Sequence, residues 1–180
     1  MKVLVVVDMQ NDFITGSLGT PEARAIVPNV KAKIDEAVKN GDLIVFTRDT
    51  HWDDYLVSNE GQKLPVEHCV RGTDGWQIHN GLIPDNYNFM MIRDKYTFGD
   101  YDLPSTLHDM LYQFVNEPTE IELVGLCTDI CVVSNALLLK SYLYDDYEIS
   151  VDATCCAGVT PESHEAALRT MEMCQINVKR

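Results

Sequence analysis

The chain has 180 residues, of which 46% are hydrophobic, and this suits a compact globular fold with a sizeable core. Its formal net charge of -14 argues against nucleic acid or an anionic membrane as a partner, because binding to phosphate depends on basic patches. This length predicts a single domain over residues 1–180. We predict that it is cytoplasmic, because no apolar run approaches the roughly 20 residues that cross a bilayer and the N-terminus shows no signal-peptide pattern.

The first part of the chain alternates strand and helix patterns. Residues 3–7 form a continuous apolar run, typical of a strand buried on both faces, and the run ends at Asp8. Residues 28–40 carry apolar side chains at helical spacing before Gly41, and residues 43–47 predict a second strand. The order strand, helix, strand indicates a parallel sheet with crossover helices.

Residues 48–88 show little periodicity. Irregular segments of this length are usually functional or disordered, and the tryptophans and histidines of this one argue against disorder. Asp49 and His51 follow a strand, and the period of two in an extended chain directs both side chains the same way. With Glu60 and His68 they would complete a nitrogen and oxygen set that suits zinc, iron or manganese, although solvated loop groups can share this spacing.

The rest of the chain repeats the alternation. The predicted strands are residues 89–92, 121–124, 147–151 and 176–178, and the predicted helices are residues 103–115, 129–143 and 161–171. Six strands with crossover helices predict an α/β fold, with three layers in the order α/β/α around a central, mostly parallel six-stranded sheet. Lys95 follows the third strand, where an isolated lysine is more often simply solvated.

Cys131 falls in the first turn of the predicted helix over residues 129–143, with Thr128 or Asp129 as its cap. A thiol there faces unpaired backbone N–H groups and the positive end of the helix dipole, which favour the thiolate and can receive an oxyanion. The alternative is a buried structural cysteine. We predict that the cysteines are reduced, because the sequence carries no export signal, and that Cys155 and Cys156 are structural, because no second close pair completes a zinc site.

Five candidate residues each follow a predicted strand: Asp8, Asp49, His51, Lys95 and Cys131. The carboxyl ends of parallel strands share one edge of a sheet, so these side chains can converge there. The charge of a nearby lysine favours a thiolate, and a carboxylate can accept the thiol proton and pass it to a leaving amine.

Several longer motifs occur in order along essentially the whole chain. They are VVVDMQNDF at residues 5–13, RDTH at 48–51, HCVRGT at 68–73, Lys95, and VGLCTDICV at 124–132. Together they resemble the isochorismatase-like cysteine hydrolases and, within them, the nicotinamidases. This resemblance implies hydrolysis of nicotinamide, and of pyrazinamide, to the acid and ammonia through a cysteine thioester, in NAD salvage.

The resemblance also implies the roles of the residues around the thiol. Cys131 would be the nucleophile, Asp8 the proton carrier and Lys95 the third member of a triad. A cis peptide is implied before Cys127, and the backbone N–H groups of Cys127 and Cys131 would form the oxyanion hole. Cys127 stands where many relatives have alanine, which places a second, oxidisable thiol in the site.

A divalent metal ion is implied as well, with zinc favoured over iron or manganese. It would be held by Asp49, His51 and His68, and Glu60 would match a glutamate that some relatives add. In the nicotinamidases that the sequence resembles, this ion binds the pyridine nitrogen of the substrate and so orients the substrate.

Three further residues, Phe13, Leu18 and Tyr101, resemble positions that pack against the pyridine ring. The expected partner is therefore a small-molecule amide, and the sequence leaves open whether the chain forms a homo-oligomer. A related hydrolase acting on isochorismate or a carbamoyl compound is the nearest alternative, although such relatives generally lack the metal ligands. A non-catalytic metal or redox sensor built around Cys127 and Cys131 is the alternative from another class.

Overall fold

Six strands alternate with helices along the chain in a computed structural model that describes residues 2–112, 120–143 and 146–180. The strands are β1 Lys2–Val7, β2 Leu43–Asp49, β3 Met90–Lys95, β4 Glu120–Leu126, β5 Glu148–Ala157 and β6 Asn177–Lys179. The helices are α1 Asn11–Ile14, α2 Pro21–Asn40, α3 Asn59–Lys63, α4 Leu103–Leu111, α5 Val133–Leu143 and α6 Pro161–Met173. Residues 113–115, which the sequence assigns to the helix that is α4, lie outside the described residues.

The described strands form one sheet in the order β3-β2-β1-β4-β5-β6, and all of their pairings are parallel. This confirms the predicted α/β fold, and the sheet is parallel throughout rather than mostly parallel. The strand order reverses direction between β1 and β4, where Val7 pairs with Gly125. Open α/β sheets bind ligands in the crevice at such a switch point, beyond the carboxyl ends of the strands.

Both faces of the sheet are covered, which explains the continuous apolar run in β1. Val3, Val5 and Val7 belong to a buried cluster with residues of α4, α5 and α6. Leu4 and Val6 face the other way, into a cluster with residues of α1 and α2. In the part of the chain that is described, no helix combines the length and apolar character that crossing a membrane requires.

Helix α2 begins at Pro21, well before the predicted start at Pro28. The side chain of Thr20 accepts a hydrogen bond from the Ala23 N–H, and Pro21 occupies the first helical position, so the helix is capped there. Pro28 lies inside the helix on an exposed face, where the carbonyl group that loses its hydrogen bond can bind water instead.

Strand β3 continues to Lys95, three residues beyond the predicted end at residue 92. Its last three residues, Arg93, Asp94 and Lys95, are charged, so no apolar run marks them as part of a strand. β3 is an edge strand, where charged residues are tolerated, and Asp94 accepts a 2.7 Å hydrogen bond from the Nε of Arg48 on β2. Lys95 is therefore part of the strand and pairs in register with Asp49.

Candidate active site

The carboxyl ends of β1 and β4 approach each other closely because of Gly125. This residue has φ of +118°, and a Cβ atom at its position would overlap the carbonyl oxygen of Val7. Asp8, the next residue after Val7, therefore lies against the segment that follows β4. Asp8 itself has a positive φ of 46°, and such backbone strain in residues other than glycine is concentrated at functional sites.

One π-helical turn, Thr128–Val132, connects β4 to α5; we call it the Cys131 turn. A cis peptide joins Leu126 to Cys127 directly before it, as the resemblance implied. The predicted single helix over residues 129–143 is thus a π-helical turn followed by an α-helix that begins at Val133. Turns of this kind are rare and occur frequently at functional sites.

The Cys131 cluster consists of Asp8, Lys95 and Cys131, which come together at the switch point. The Nζ of Lys95 lies 2.7 Å from the Oδ2 of Asp8 and 3.5 Å from the Sγ of Cys131. All three residues are buried, with relative exposures of 0%, 2% and 5%. The hydroxyl group of Thr47 donates a 2.7 Å hydrogen bond to the Oδ1 of Asp8 and fixes that carboxyl group from the side of β2.

Protons are held tightly in this cluster. Burial raises the pKa of Asp8, against the opposing charge of Lys95, and nearby Asp49 raises it further. Burial also raises the pKa of the Cys131 thiol well above its ordinary value, and Lys95 opposes this only in part. The sequence predicted a thiolate from the helix dipole and the lysine, but the burial of the sulfur favours the neutral thiol. A carboxylate whose pKa is raised is a stronger base, which suits Asp8 to taking the thiol proton.

The histidine cluster, which consists of Asp49, His51, Glu60 and His68, lies next to Lys95. One possible ligand atom from each of its residues lies within 4.8 Å of all the others. The Oδ2 of Asp49 is 2.9 Å from the Nε2 of His51 and 3.5 Å from the Nε2 of His68. The Oε1 of Glu60 is 3.7 Å and 3.8 Å from the same two nitrogens. The structure therefore brings together all four residues that the sequence proposed as ligands.

This geometry fits a metal ion. At metal–ligand distances of about 2.0–2.1 Å, tetrahedral ligands lie about 3.4 Å apart, which is within the range of the separations seen here. The Nδ1 of His68 lies 2.8 Å from the carbonyl oxygen of Val66, which leaves its Nε2 directed into the cluster, as in metal-binding histidines. Burial would raise the pKa of Asp49, but Lys95 and the hydrogen bonds with the histidines outweigh it and lower the pKa, so this carboxylate is ionised.

Two residues at the start of α1 hold this cluster in place, and the sequence did not predict their roles. Gln10 is fully buried, and its side-chain amide donates to the carbonyl oxygen of Asp49 at 2.9 Å and accepts from the Asp49 N–H at 2.7 Å. The Oδ2 of Asp12 accepts a 2.8 Å hydrogen bond from the N–H of Cys69, the neighbour of His68. The available signal was their place in the motif over residues 5–13, where polar residues follow the apolar run of β1.

Asn135 performs a similar task for the Cys131 turn and was also missed. This fully buried residue donates a 2.8 Å hydrogen bond to the carbonyl oxygen of Cys131 and accepts one of 2.9 Å from the Asp100 N–H. Its signal was an asparagine inside an apolar helical stretch, four residues after Cys131, where the two lie on one face.

A cavity of about 660 Å³ opens over Cys131 and the histidine cluster. Phe13 and Leu18 line it, where the sequence places them, but Tyr101 does not and is 72% exposed. The chain turns away before Tyr101 because Asp100 is bonded through its N–H to Asn135. The aromatic side chains that this segment gives to the cavity come earlier, and they are Tyr96 and Phe98.

The fold agrees with comparison to known proteins. The family described as the isochorismatase domain matches residues 2–179. Because this match spans nearly the whole sequence, the chain belongs to the isochorismatase family.

Three solved structures illustrate the range of its relatives. A nicotinamidase from Bacillus subtilis is 27% identical, with a TM-score of 0.82 and 99% of both chains covered. A pyrazinamidase from Pyrococcus horikoshii in complex with zinc is 28% identical, with a TM-score of 0.79 over 99% of this chain and 98% of that one. An N-carbamoylsarcosine amidase from Thermoplasma acidophilum is 27% identical, with a TM-score of 0.76 over 99% and 95% of the two chains.

Proposed function

We propose that this protein is a nicotinamidase, which hydrolyses nicotinamide, and also pyrazinamide, to the acid and ammonia. The observation that carries the proposal is the meeting of a thiol, an ammonium group and a carboxyl group beside a cluster of candidate metal ligands, at a cavity that the thiol and three of these ligands line. Amide hydrolysis needs a nucleophile, a proton carrier and a group that orients the substrate, and this arrangement contains a candidate for each. The similarity to nicotinamidases and a pyrazinamidase supports this choice of substrate.

The cavity is suited to a small aromatic amide. Its wall carries the apolar side chains of Phe13, Leu18 and Phe98, which can pack against a ring, and Cys131 lies at its floor. A divalent ion, zinc in our proposal, would be held by Asp49, His51, Glu60 and His68 and would supply a Lewis acid to which a ring nitrogen can bind. Pyrazinamide keeps a ring nitrogen in the same position relative to its amide, so it is expected to be a substrate as well.

In the first half of the reaction, Asp8 takes the proton of the Cys131 thiol and the sulfur attacks the amide carbon. A carbon–sulfur bond forms, and the carbonyl oxygen becomes an oxyanion that accepts hydrogen bonds from the backbone N–H groups of Cys127 and Cys131. The carbon–nitrogen bond then breaks as Asp8 gives its proton to the leaving ammonia, and a thioester remains. Lys95 keeps a positive charge beside both groups while the proton moves.

In the second half, a water molecule gives a proton to Asp8 and attacks the thioester carbon. The carbon–sulfur bond breaks, the sulfur recovers a proton from Asp8, and the acid is released. The resting form of the cluster, with a neutral thiol next to a carboxylate of raised pKa, is thereby restored.

An assay of ammonia release tests the proposal. The protein, loaded with zinc, is given nicotinamide, pyrazinamide, isochorismate or N-carbamoylsarcosine, with the isochorismate reaction followed by loss of substrate. We expect turnover of the two ring amides, and loss of at least about a thousandfold in kcat/KM for Cys131→Ala. Cys174→Ser, a change at an exposed cysteine far from the cluster, is the matched control and retains full activity.

Three results would overturn this assignment. Turnover of isochorismate or of N-carbamoylsarcosine without turnover of nicotinamide would assign the protein to another activity of its family. Ammonia release that survives in Cys131→Ala would show that the thiol is not the nucleophile, and a complete lack of hydrolysis would support a sensor instead.

A further inference from the structure

Two polar residues at the start of the Cys131 turn are bonded to a different part of the chain, although the sequence predicted that one of them would cap α5. The Oγ1 of Thr128, which is fully buried, lies 2.8 Å from the Nδ1 of His164 on α6. The Asp129 carboxylate accepts the N–H of Val159 with its two oxygens, at 3.1 Å and 3.2 Å. The turn is therefore tied to the connection between β5 and α6.

The position of His164 is itself fixed. It lies in the second turn of α6, directly after a capping box formed by Thr160 and Ser163, and its N–H donates to the carbonyl oxygen of Thr160 at 3.0 Å. A Cβ atom at Gly158 would lie 2.9 Å from the Cβ of His164, so the connection passes close against this residue. Burial lowers the pKa of His164, which keeps the imidazole neutral at pH 7.

The connection between β5 and α6 also forms a wall of the cavity. Gly158 and Val159 line the cavity on one side, next to Cys127 and Cys131 from the turn. His164 lies behind the turn, with its imidazole directed at Thr128. The hydrogen bond to Thr128 thus links a histidine outside the wall to the backbone of the turn.

We propose that His164 is a positioning residue for amide hydrolysis. Its hydrogen bond to Thr128 fixes the Cys131 turn so that the backbone N–H groups of Cys127 and Cys131 point at the oxygen of the attacked carbonyl group. This inference rests on the proposed function, because it assumes that an oxyanion forms at Cys131. Donors that are held in place before the reaction act on the transition state, where the negative charge develops, more than on the bound substrate.

A pair of variants tests this role. His164→Leu removes the hydrogen bond, whereas His164→Asn places an amide group near the position of Nδ1 and retains a partner for Thr128. For nicotinamide we expect kcat to fall by about tenfold in His164→Leu with KM changed less than about threefold, since full removal of one oxyanion donor costs about 10²–10³. His164→Asn is expected to recover most of this loss.

A second measurement uses two ligands that differ at the reacting carbon. Pyridine-3-carboxaldehyde can add the Cys131 thiol, which forms a carbon–sulfur bond, converts the carbonyl oxygen to an alkoxide and transfers the thiol proton to Asp8. 3-Methylpyridine keeps the ring nitrogen but has no carbonyl group, so it cannot add the thiol and places no oxygen at the oxyanion donors. His164→Leu is expected to weaken aldehyde binding by about tenfold and to leave 3-methylpyridine binding unchanged, because only the aldehyde adduct places negative charge at the oxyanion donors.

Several outcomes would overturn the inference. Unchanged kcat and aldehyde affinity in His164→Leu would show that the bond does not position the turn. Equal loss of aldehyde and 3-methylpyridine binding would assign His164 a purely structural role. If His164→Leu does not fold, Thr128→Val removes the same hydrogen bond from the other side with little change of shape, and failure of both variants to fold would also assign a structural role.

The inference and the proposed function fail in different ways. A wild-type protein that does not hydrolyse nicotinamide refutes the proposed function, and the inference falls with it. A wild-type protein that hydrolyses nicotinamide, together with a His164→Leu variant of equal kcat, refutes the inference alone.

Discussion

Two groups of lysines and carboxylates lie in different parts of the sheet and hold their charges differently. Toward the amino ends of β1 and β4, three lysines meet three carboxylates in what we call the lysine network: Lys2, Lys33, Lys179, Glu120, Glu122 and Asp152. At the carboxyl ends, Lys95 alone faces Asp8 at 2.7 Å and Asp49 at 3.3 Å, beside the Cys131 thiol. The residue types are the same, but the ratio of cations to anions differs.

The pKa values follow this ratio and the depth of burial. In the lysine network, burial would raise the pKa of Glu120, but hydrogen bonds from Lys179, Ser150 and Lys2 outweigh it and lower the pKa to about 2. The pKa of Lys33 is raised, because its bond to Asp152 outweighs burial. In the Cys131 cluster, burial prevails and the pKa of Asp8 rises instead.

The difference in pKa values suggests that the charges of the lysine network serve stability, whereas those of the Cys131 cluster suit chemistry. Partly exposed ions with matched partners stay charged and contribute to folding. A buried carboxyl group that shares one ammonium with a second carboxylate has a raised pKa and holds a proton more readily, which suits a proton carrier. The Cys131 cluster and the histidine cluster together contain three carboxylates, those of Asp8, Asp49 and Glu60, and one ammonium group, that of Lys95. A divalent cation in the histidine cluster would balance the excess of negative charge.

The largest expected effect comes from breaking the chemical use of charge. Asp8→Asn keeps the shape of the side chain but removes the proton carrier, so kcat/KM for nicotinamide is expected to fall by about 10²–10⁴-fold. The folded state should survive this change, and its melting temperature is measured beside the rate. Asp152→Asn in the lysine network is the matched control, with an unchanged rate. A rate for Asp8→Asn within a factor of ten of wild type would contradict the role of Asp8.

The second effect concerns the histidine cluster. His68→Gln removes one proposed ligand, so zinc affinity, measured by competition with a chelator, is expected to fall by at least about tenfold. The wild-type melting temperature should fall when zinc is removed, since a bound ion stabilises the folded state. His108→Gln, on the exposed face of α4, is the control. Equal zinc affinity in wild type and His68→Gln would refute the site.

The third effect tests the stabilising use of charge. Lys33→Met leaves Glu122 and Asp152 without one of their cations, so the free energy of unfolding is expected to fall by about 1–3 kcal/mol with kcat unchanged. Lys31→Met breaks only the exposed pair with Asp35 and is expected to cost about 0.3–0.5 kcal/mol. A loss of activity with no loss of stability in Lys33→Met would blur the distinction between the two groups.

The smallest effect is the pH dependence of the lysine network. The pKa of Glu120 is lowered from 4.5 to about 2, so its stabilisation is fully present above pH 4.5 and is lost as the pH falls through the folded value. Glu120→Gln is expected to reduce the free energy of unfolding at pH 7 by about 1 kcal/mol and to flatten its decline between these pH values. The free energy of unfolding is measured by urea titration at pH 2.5–7 for the wild type and for Glu120→Gln. Parallel curves of this free energy against pH would rule out the contribution of Glu120.

Much of the fold followed from local patterns in the sequence. Apolar runs located β1, β2 and β4, and the alternation with helices predicted a parallel sheet. The end of β3 was missed because its charged residues are stabilised by an ion pair with Arg48 on the neighbouring strand, a contact that no local pattern reveals. The start of α2 was missed because Pro28 was taken as a first helical residue, whereas the capped Pro21 is one.

The sequence predicted which residues form the site better than it predicted their protonation. Sheet topology and the resemblance placed Asp8, Lys95 and Cys131 at one edge, where the structure brings them together. The protonation of the thiol depends on burial by many distant residues, so the dipole argument gave the wrong direction. Thr128 or Asp129 was expected to form a local cap, but their partners lie 36 and 30 residues later in the chain.

The adjacency of β1 and β4 has a consequence for the newly made protein. A chain that has left the ribosome only as far as β3 already carries Asp8, Asp49, His68 and Lys95, yet it lacks sulfur at the centre of the site. Strand β4 also pairs with β1 along the length of β1, so a chain that ends at β3 leaves that edge of β1 without a partner. Emergence of β4 and the turn after it therefore closes this edge of the sheet and brings the Cys131 thiol to Lys95 in one event.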